Sequence, residues 1–162
     1  MMKVCIIYHS ETGNTRHIAQ HMSSVVDCHL VEVYDRAAYS ALTRFLVRCK
    51  RARNEETVPI EPASIDVSGY DILVFGSPVW AFKPTPAIHA AIASVKGCGG
   101  KSAVAYCTHG GRPGDTEEIL KKWIEARDMK FCGAVAIHQK DIENDKKNGE
   151  LRKLIQAAKD SA

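Results

Sequence analysis

Val4-Cys5-Ile6-Ile7-Tyr8-His9-Ser10-Glu11-Thr12-Gly13-Asn14-Thr15 is the stretch on which the reading of this chain turns. Its first five residues form an apolar run of strand length. Beyond Thr15, the residues Ile18, Met22, Val25 and Val26 recur at helical spacing. Ser10 to Thr15 therefore form a strand-to-helix turn. The first turn of a helix has backbone N–H groups without intrahelical partners and carries a partial positive charge. Gly13 allows close approach of a ligand to that backbone, and Ser10, Thr12, Asn14 and Thr15 add side-chain donors. Such a turn cradles a phosphate without needing a lysine. Each hydrogen bond to a charged phosphate contributes roughly 1.5–3 kcal/mol. The alternative, that these residues only cap a helix, suits any one of them but not the whole set.

The rest of the chain repeats the alternation. Cys28 to Tyr34 suits a half-exposed or edge strand. From Tyr39 to Arg51 the spacing of Leu42, Phe45, Leu46 and Cys49 predicts an amphipathic helix with those residues buried, and Arg44, Arg48, Lys50, Arg51 and Arg53 on a basic outer face. The prolines between Val58 and Ala63 predict extended chain or loop. Tyr70 to Gly76 is a fully apolar strand, followed by the loop Ser77-Pro78-Val79-Trp80-Ala81-Phe82-Lys83. Thr85 as N-cap and Pro86 at the first position open a helix that buries Ile88, Ala91, Ile92 and Val95. Lys101 to Cys107 is a third buried strand, ending in the loop Thr108-His109-Gly110-Gly111-Arg112-Pro113-Gly114. Asp115 and Glu118 form a capping-box pattern, with Glu117/Lys121 and Glu118/Lys122 as i,i+4 pairs and Ile119, Trp123 and Ile124 inward. Gly133 to His138 is the last strand, and the terminal helix buries Leu151, Leu154, Ile155 and Ala158.

Five strand–helix alternations predict a three-layer, doubly wound α/β domain on a five-stranded parallel sheet, one domain over residues 1–162. The loops 10–15, 77–83 and 108–115 then meet at the carboxyl edge of that sheet. The phosphate turn, Ser10-Glu11-Thr12-Gly13-Asn14-Thr15, resembles that of the flavodoxin family at every fixed position, and the last strand, which runs without a long interruption, is similar to that of its short-chain branch. The resemblance implies strand order 2-1-3-4-5 and FMN as cofactor. It assigns the phosphate to Ser10, Glu11, Thr12, Gly13, Asn14 and Thr15. It assigns the flavin ring to Ser77, Pro78, Val79, Trp80 and Ala81 on one side, and to Thr108, His109, Gly110 and Gly111 on the other. Trp80 is read as stacking on the flavin, with a core or lid position as the alternative.

Three departures from the family pattern bear on function. The third loop lacks a tyrosine, so His109 takes that place or the ring stays open on one face. Ala81 stands where the family often has glycine; a left-handed backbone costs alanine about 1 kcal/mol more, so the one-electron-reduced flavin should be less stabilised. The chain is also mildly basic, with a formal net charge of +3, where carriers of the family are acidic around the flavin.

The resulting expectation is an FMN-binding electron-transfer protein. The alternatives are an FMN-dependent NAD(P)H:quinone-type or flavin oxidoreductase and a flavin-free binding module on the same fold. No side chain is required as a catalytic acid or base. The basic segment 44–53 is a solvated face, a dock for an acidic redox partner, or a site for nicotinamide nucleotide phosphates. A charge of +3 does not imply nucleic-acid binding. No apolar run approaches the roughly 20 residues of a membrane span, and the first strand leaves no room for a leader, so a cytoplasmic monomer or homodimer is expected.

Six cysteines without a Cys-x-x-Cys pair read as reduced, mostly buried thiols, and no metal ligand set is expected. Cys107, beside the third loop, is read as a buried structural thiol before a redox partner. Gly99-Gly100-Lys101-Ser102 imitates the end of a P-loop, but residue 95 is Val and the segment precedes a strand.

Overall fold

Apolar runs that would be too hydrophobic for a one-sided strand become the centre of a sheet covered on both faces. The computed structural model describes residues 1–162. Its main strands are β1 (Val4–His9), β2 (Cys28–Asp35), β3 (Ile72–Trp80), β4 (Ser102–His109) and β5 (Lys130–His138). The helices are α1 (Asn14–Val25), α2 (Arg44–Arg53), α3 (Pro86–Ser94), α4 (Thr116–Glu125) and α5 (Asp145–Asp160). The strands run parallel in the order 2-1-3-4-5. Two-residue strands add to this plan: Ile60–Glu61 pairs antiparallel outside β2, and Lys83–Pro84 folds back on the end of β3. Ile65–Asp66 pairs with Val95–Lys96 apart from the main sheet.

Successive side chains point to opposite faces, and the two cores divide accordingly. Cys5, Ile7, Leu73, Phe75, Ala103 and Ala105 pack with Ile88, Ile92, Leu120 and Ile124 from α3 and α4. Val4, Ile6, Ile72, Val74, Val104 and Tyr106 pack with Ile18, Met22, Leu151 and Ile155 from α1 and α5. Thr85 caps α3 by accepting a hydrogen bond from the Ile88 amide at 3.4 Å.

Several local expectations give way. α2 starts at Arg44 rather than Tyr39 and is turned the other way round: Leu42, Phe45 and Leu46 are 95%, 76% and 68% exposed, while Ala52 is buried. The cause is Arg48, which pairs with Glu11 and lies over the rings of Tyr39 and Trp80, 4.9 and 5.2 Å from their centroids. An ion pair and two cation–π contacts outweigh apolar periodicity in a helix with five cations. In α1 Val25 is exposed. α4 has no side-chain cap; Thr116 Oγ1 donates to Pro113 O at 2.6 Å, and Lys122 pairs with Glu55 instead of Glu118. Cys5, Cys98 and Cys107 are buried, whereas Cys28, Cys49 and Cys132 are only partly so.

The turn joining β3 to Lys83–Pro84 has two central residues, Ala81 at φ +49° and Phe82 at φ +67°. Left-handed backbone at both positions is the signature of a type I′ hairpin, which ordinarily takes Asn-Gly. Ala81 adopts the conformation that its Cβ was expected to resist. Ala81→Asn combined with Phe82→Gly should therefore stabilise the protein by about 1 kcal/mol, raising its melting temperature by roughly 2–4 °C in calorimetry.

Candidate functional site

β1, β3 and β4 end side by side, so the loops that follow them share one edge. They enclose a cavity of about 210 Å³. Glu11, Thr12 and Asn14 come from the first loop, Pro78, Val79 and Trp80 from the second, and Thr108, His109 and Gly110 from the third; Gln139 closes one side. Sequence reasoning brought all but Gln139 to this place. Gln139 belongs to a short 3₁₀ turn after β5 that no periodicity marks.

The phosphate turn has the geometry of an anion cradle. Gly13 sits at φ +98° before α1, with open space where a Cβ would stand. It gives no side-chain cap; the one hydroxyl that reaches the first turn is Ser10 Oγ, which accepts from the Arg16 amide at 3.2 Å. The Asn14 and Thr15 amides ahead of it have no partner in the chain. Positive side chains do not fill the cradle. Arg16 is held by Glu32, and Arg48 by Glu11, which draws the Glu11 carboxylate toward α2.

Two of the anticipated residues, Thr15 and Ser77, lie behind the cavity as braces, Thr15 against the cavity-lining Thr108. The Thr15 hydroxyl is hydrogen-bonded to Thr108 Oγ1 at 2.8 Å, both buried, so Thr15 offers the cradle its amide. Ser77 Oγ donates to Pro78 O at 2.8 Å and accepts from the Thr85 amide at 3.0 Å. Tyr106, fully buried, donates from its hydroxyl to Thr15 O at 3.0 Å. Gly111, Ser10, Gly13 and Ala81 do not line this cavity; Gly13 lines its polar neighbour beside His17 and Lys140.

His9, at the end of β1, escaped the sequence reading because a single histidine at the end of an apolar strand carries no pattern. It is buried, lies 2.9 Å from Thr85 Oγ1 through Nδ1, and meets the Trp80 ring edge-on at 5.5 Å between centroids. Burial lowers its pKa to about 4, so it is neutral at pH 7. His109 lines the cavity together with Trp80 and is the only other aromatic ring there. Its Nδ1 lies 3.1 Å from Gly111 O, and a carbonyl only accepts, so Nδ1 carries the proton. The ring packs edge-on against His138, which donates from Nε2 to Gly110 O. Burial shifts His109 below the ordinary histidine range. Burial pushes the Cys107 thiol up to about 12, which keeps it protonated.

The family model for NADPH-dependent FMN reductase matches residues 2–141. The chain belongs to that family. It is a flavodoxin-like FMN protein, and FMN is its cofactor. The same fold appears in a flavoprotein from Lactobacillus acidophilus NCFM crystallised with FMN, which is 22% identical, with a TM-score of 0.68 over 90% of this chain and 98% of the other. An NADH:FMN oxidoreductase in its apo form is 15% identical, with a TM-score of 0.64 over 99% and 90%. The two-electron-reduced flavodoxin of Megasphaera elsdenii is 18% identical, with a TM-score of 0.60 over 96% and 98%. No curated protein matches the sequence. The short-chain flavodoxin branch suggested by the sequence is too narrow a description, because the matching family is one of reductases.

The residues present fit FMN. The open cradle at Gly13, Asn14 and Thr15 suits its phosphate, and the cavity between Trp80 and the third loop suits its ring. No helix is long and apolar enough to cross a membrane.

Proposed function

We propose that the protein is an FMN-dependent NAD(P)H oxidoreductase that delivers electrons to a flavin or quinone-type acceptor. The family match carries this reading, and it favours the enzyme over the electron carrier preferred from sequence. The site supports it: the third loop brings no large aromatic ring to the cavity, only His109, whose Nδ1 is engaged by Gly111 O and whose ring packs edge-on against His138. A face without a large aromatic cover admits a second reactant.

Bound FMN supplies the hydride chemistry, accepting and donating electrons in pairs. The chain positions it. The amides of Asn14 and Thr15, with the hydroxyls of Ser10 and Thr12, would hold the phosphate. Trp80 forms one wall of the ring site and is braced from behind by neutral His9, itself fixed by Thr85. Thr15 and Thr108 tie the phosphate turn to the third loop. An acidic redox partner at α2 is the corresponding proposal for the carrier; its mark is salt-sensitive reduction that is lost when Arg44 and Arg51 are neutralised.

Steady-state oxidation of NADPH or NADH at 340 nm separates the two. The purified FMN-loaded protein should turn over with nicotinamide nucleotide and free flavin or quinone alone. A protein that is reduced only when a separate reductase is added would be a carrier, and the proposal would fail.

A further inference from the structure

A second cavity, of about 470 Å³, lies between α2 and the phosphate turn. It shares Glu11, Thr12 and Trp80 with the cofactor cavity, so Trp80 borders both. Its size is within the ordinary range for small-molecule sites. Ala41, Phe45, Cys49 and Trp80 make half of its lining apolar, and Arg44 and Arg48 supply cations. Arg44 is exposed and forms no ion pair. Arg48 is neutralised on one side by Glu11, but its Nε is buried and has no hydrogen-bond partner. Buried donors are ordinarily satisfied, so Arg48 retains an unused donor in a guanidinium that borders the cavity.

The inverted α2 explains how this combination arises. Turning Arg48 inward brings Phe45 to the rim of the cavity and leaves it 76% exposed. Two aromatic rings at the wall and rim, together with two guanidinium groups, suit a flat aromatic body with one anionic substituent. Guanidinium binds carboxylate and sulfonate in a charge-assisted manner and also stacks on aromatic faces. A dinucleotide, with several charges and long polar stretches, fits a half-apolar lining poorly.

We infer that the cavity between α2 and Trp80 is a binding site for a planar aromatic monoanion, a carboxylate or sulfonate, held by Arg44 and Arg48 against Trp80 and Phe45. That this ligand is the second reactant rests on the oxidoreductase reading; that it binds here does not.

Isothermal titration of the FMN-loaded protein with 1,4-naphthoquinone-2-sulfonate, and with neutral 2-methyl-1,4-naphthoquinone, tests the site without turnover. The sulfonate should bind at one equivalent. Arg44→Gln combined with Arg48→Gln should raise its dissociation constant roughly tenfold or more, while leaving the neutral quinone within about twofold. Phe45→Ala should weaken both ligands, and Arg44→Gln alone, at an exposed position, should weaken the sulfonate with the fold intact by circular dichroism. Equal affinity for the two quinones, no sulfonate binding, or sulfonate binding indifferent to the arginines would overturn the assignment. So would loss of NADPH binding in the double variant while sulfonate binding persisted, since the arginines would then serve the dinucleotide. Sulfonate binding in a protein that fails to oxidise NADPH would sink the oxidoreductase reading and leave this site standing.

Discussion

Gly76→Ala should lower the melting temperature by roughly 6–12 °C, a loss of about 3 kcal/mol, and weaken FMN binding at temperatures where the fold survives. An added Cβ would stand 2.2 Å from Tyr106 Cζ and 2.4 Å from its hydroxyl oxygen. Neither group has room to yield. Gly76 lies within β3, and Tyr106 is the largest fully buried side chain. Displacing the ring also breaks its hydrogen bond to Thr15 O, a contact worth about 1–3 kcal/mol when a buried group is left unpaired. Thr15 belongs to the turn proposed to hold the phosphate, so the damage should pass from sheet to cofactor site. Tyr106→Phe separates the contributions. It keeps the packing and loses only the hydroxyl, so calorimetry should show a smaller drop while FMN affinity still falls. If Gly76→Ala melts with the wild type, Tyr106 is not the prop described.

The second large effect concerns acid. His9 has its pKa lowered to about 4 by burial, against 6.5 for an ordinary histidine, so between those values the unfolded chain binds a proton that the folded chain does not. Stability from this residue is fully present above pH 6.5, falls as pH drops through the window, and is gone by pH 4. The difference corresponds to on the order of 3 kcal/mol. Glu11 and Asp35 oppose the shift and Arg48 adds to it, but desolvation dominates. His9→Asn retains a side chain able to pair with Thr85 and removes the titration. Urea unfolding at intervals from pH 7.5 to 4 should show the wild-type curve declining more steeply than the variant's. Parallel curves would mean that His9 is protonated equally in both states.

The pattern of apolar runs made the sheet legible, because strands covered on both faces have no polar side to confuse with a helix. The phosphate turn was legible for another reason: a strand, a glycine and a cluster of hydroxyls leave few alternatives at six consecutive positions. α2 was misread, since Leu42, Phe45 and Leu46 have the right spacing for a buried stripe. Periodicity says which residues share a face but not which face turns inward, and Arg48 decided that through Glu11 and Trp80, 37 residues before and 32 after it. His9 and the Gly76–Tyr106–Thr15 contact were hidden because each depends on a partner distant in sequence. Thr15, Ser77 and Thr108 stood out in the sequence as candidate site residues, yet their hydrogen-bonded bracing became visible only with their partners in place.

The most direct test of the central claim is an amide-resolved NMR titration of the flavin-free protein with FMN. The amides of Thr12, Gly13, Asn14 and Thr15 should shift together and saturate at one equivalent, with Trp80 and Gly110 moving in the same step. Saturation with those four amides unmoved, or shifts confined to another surface, would contradict the account.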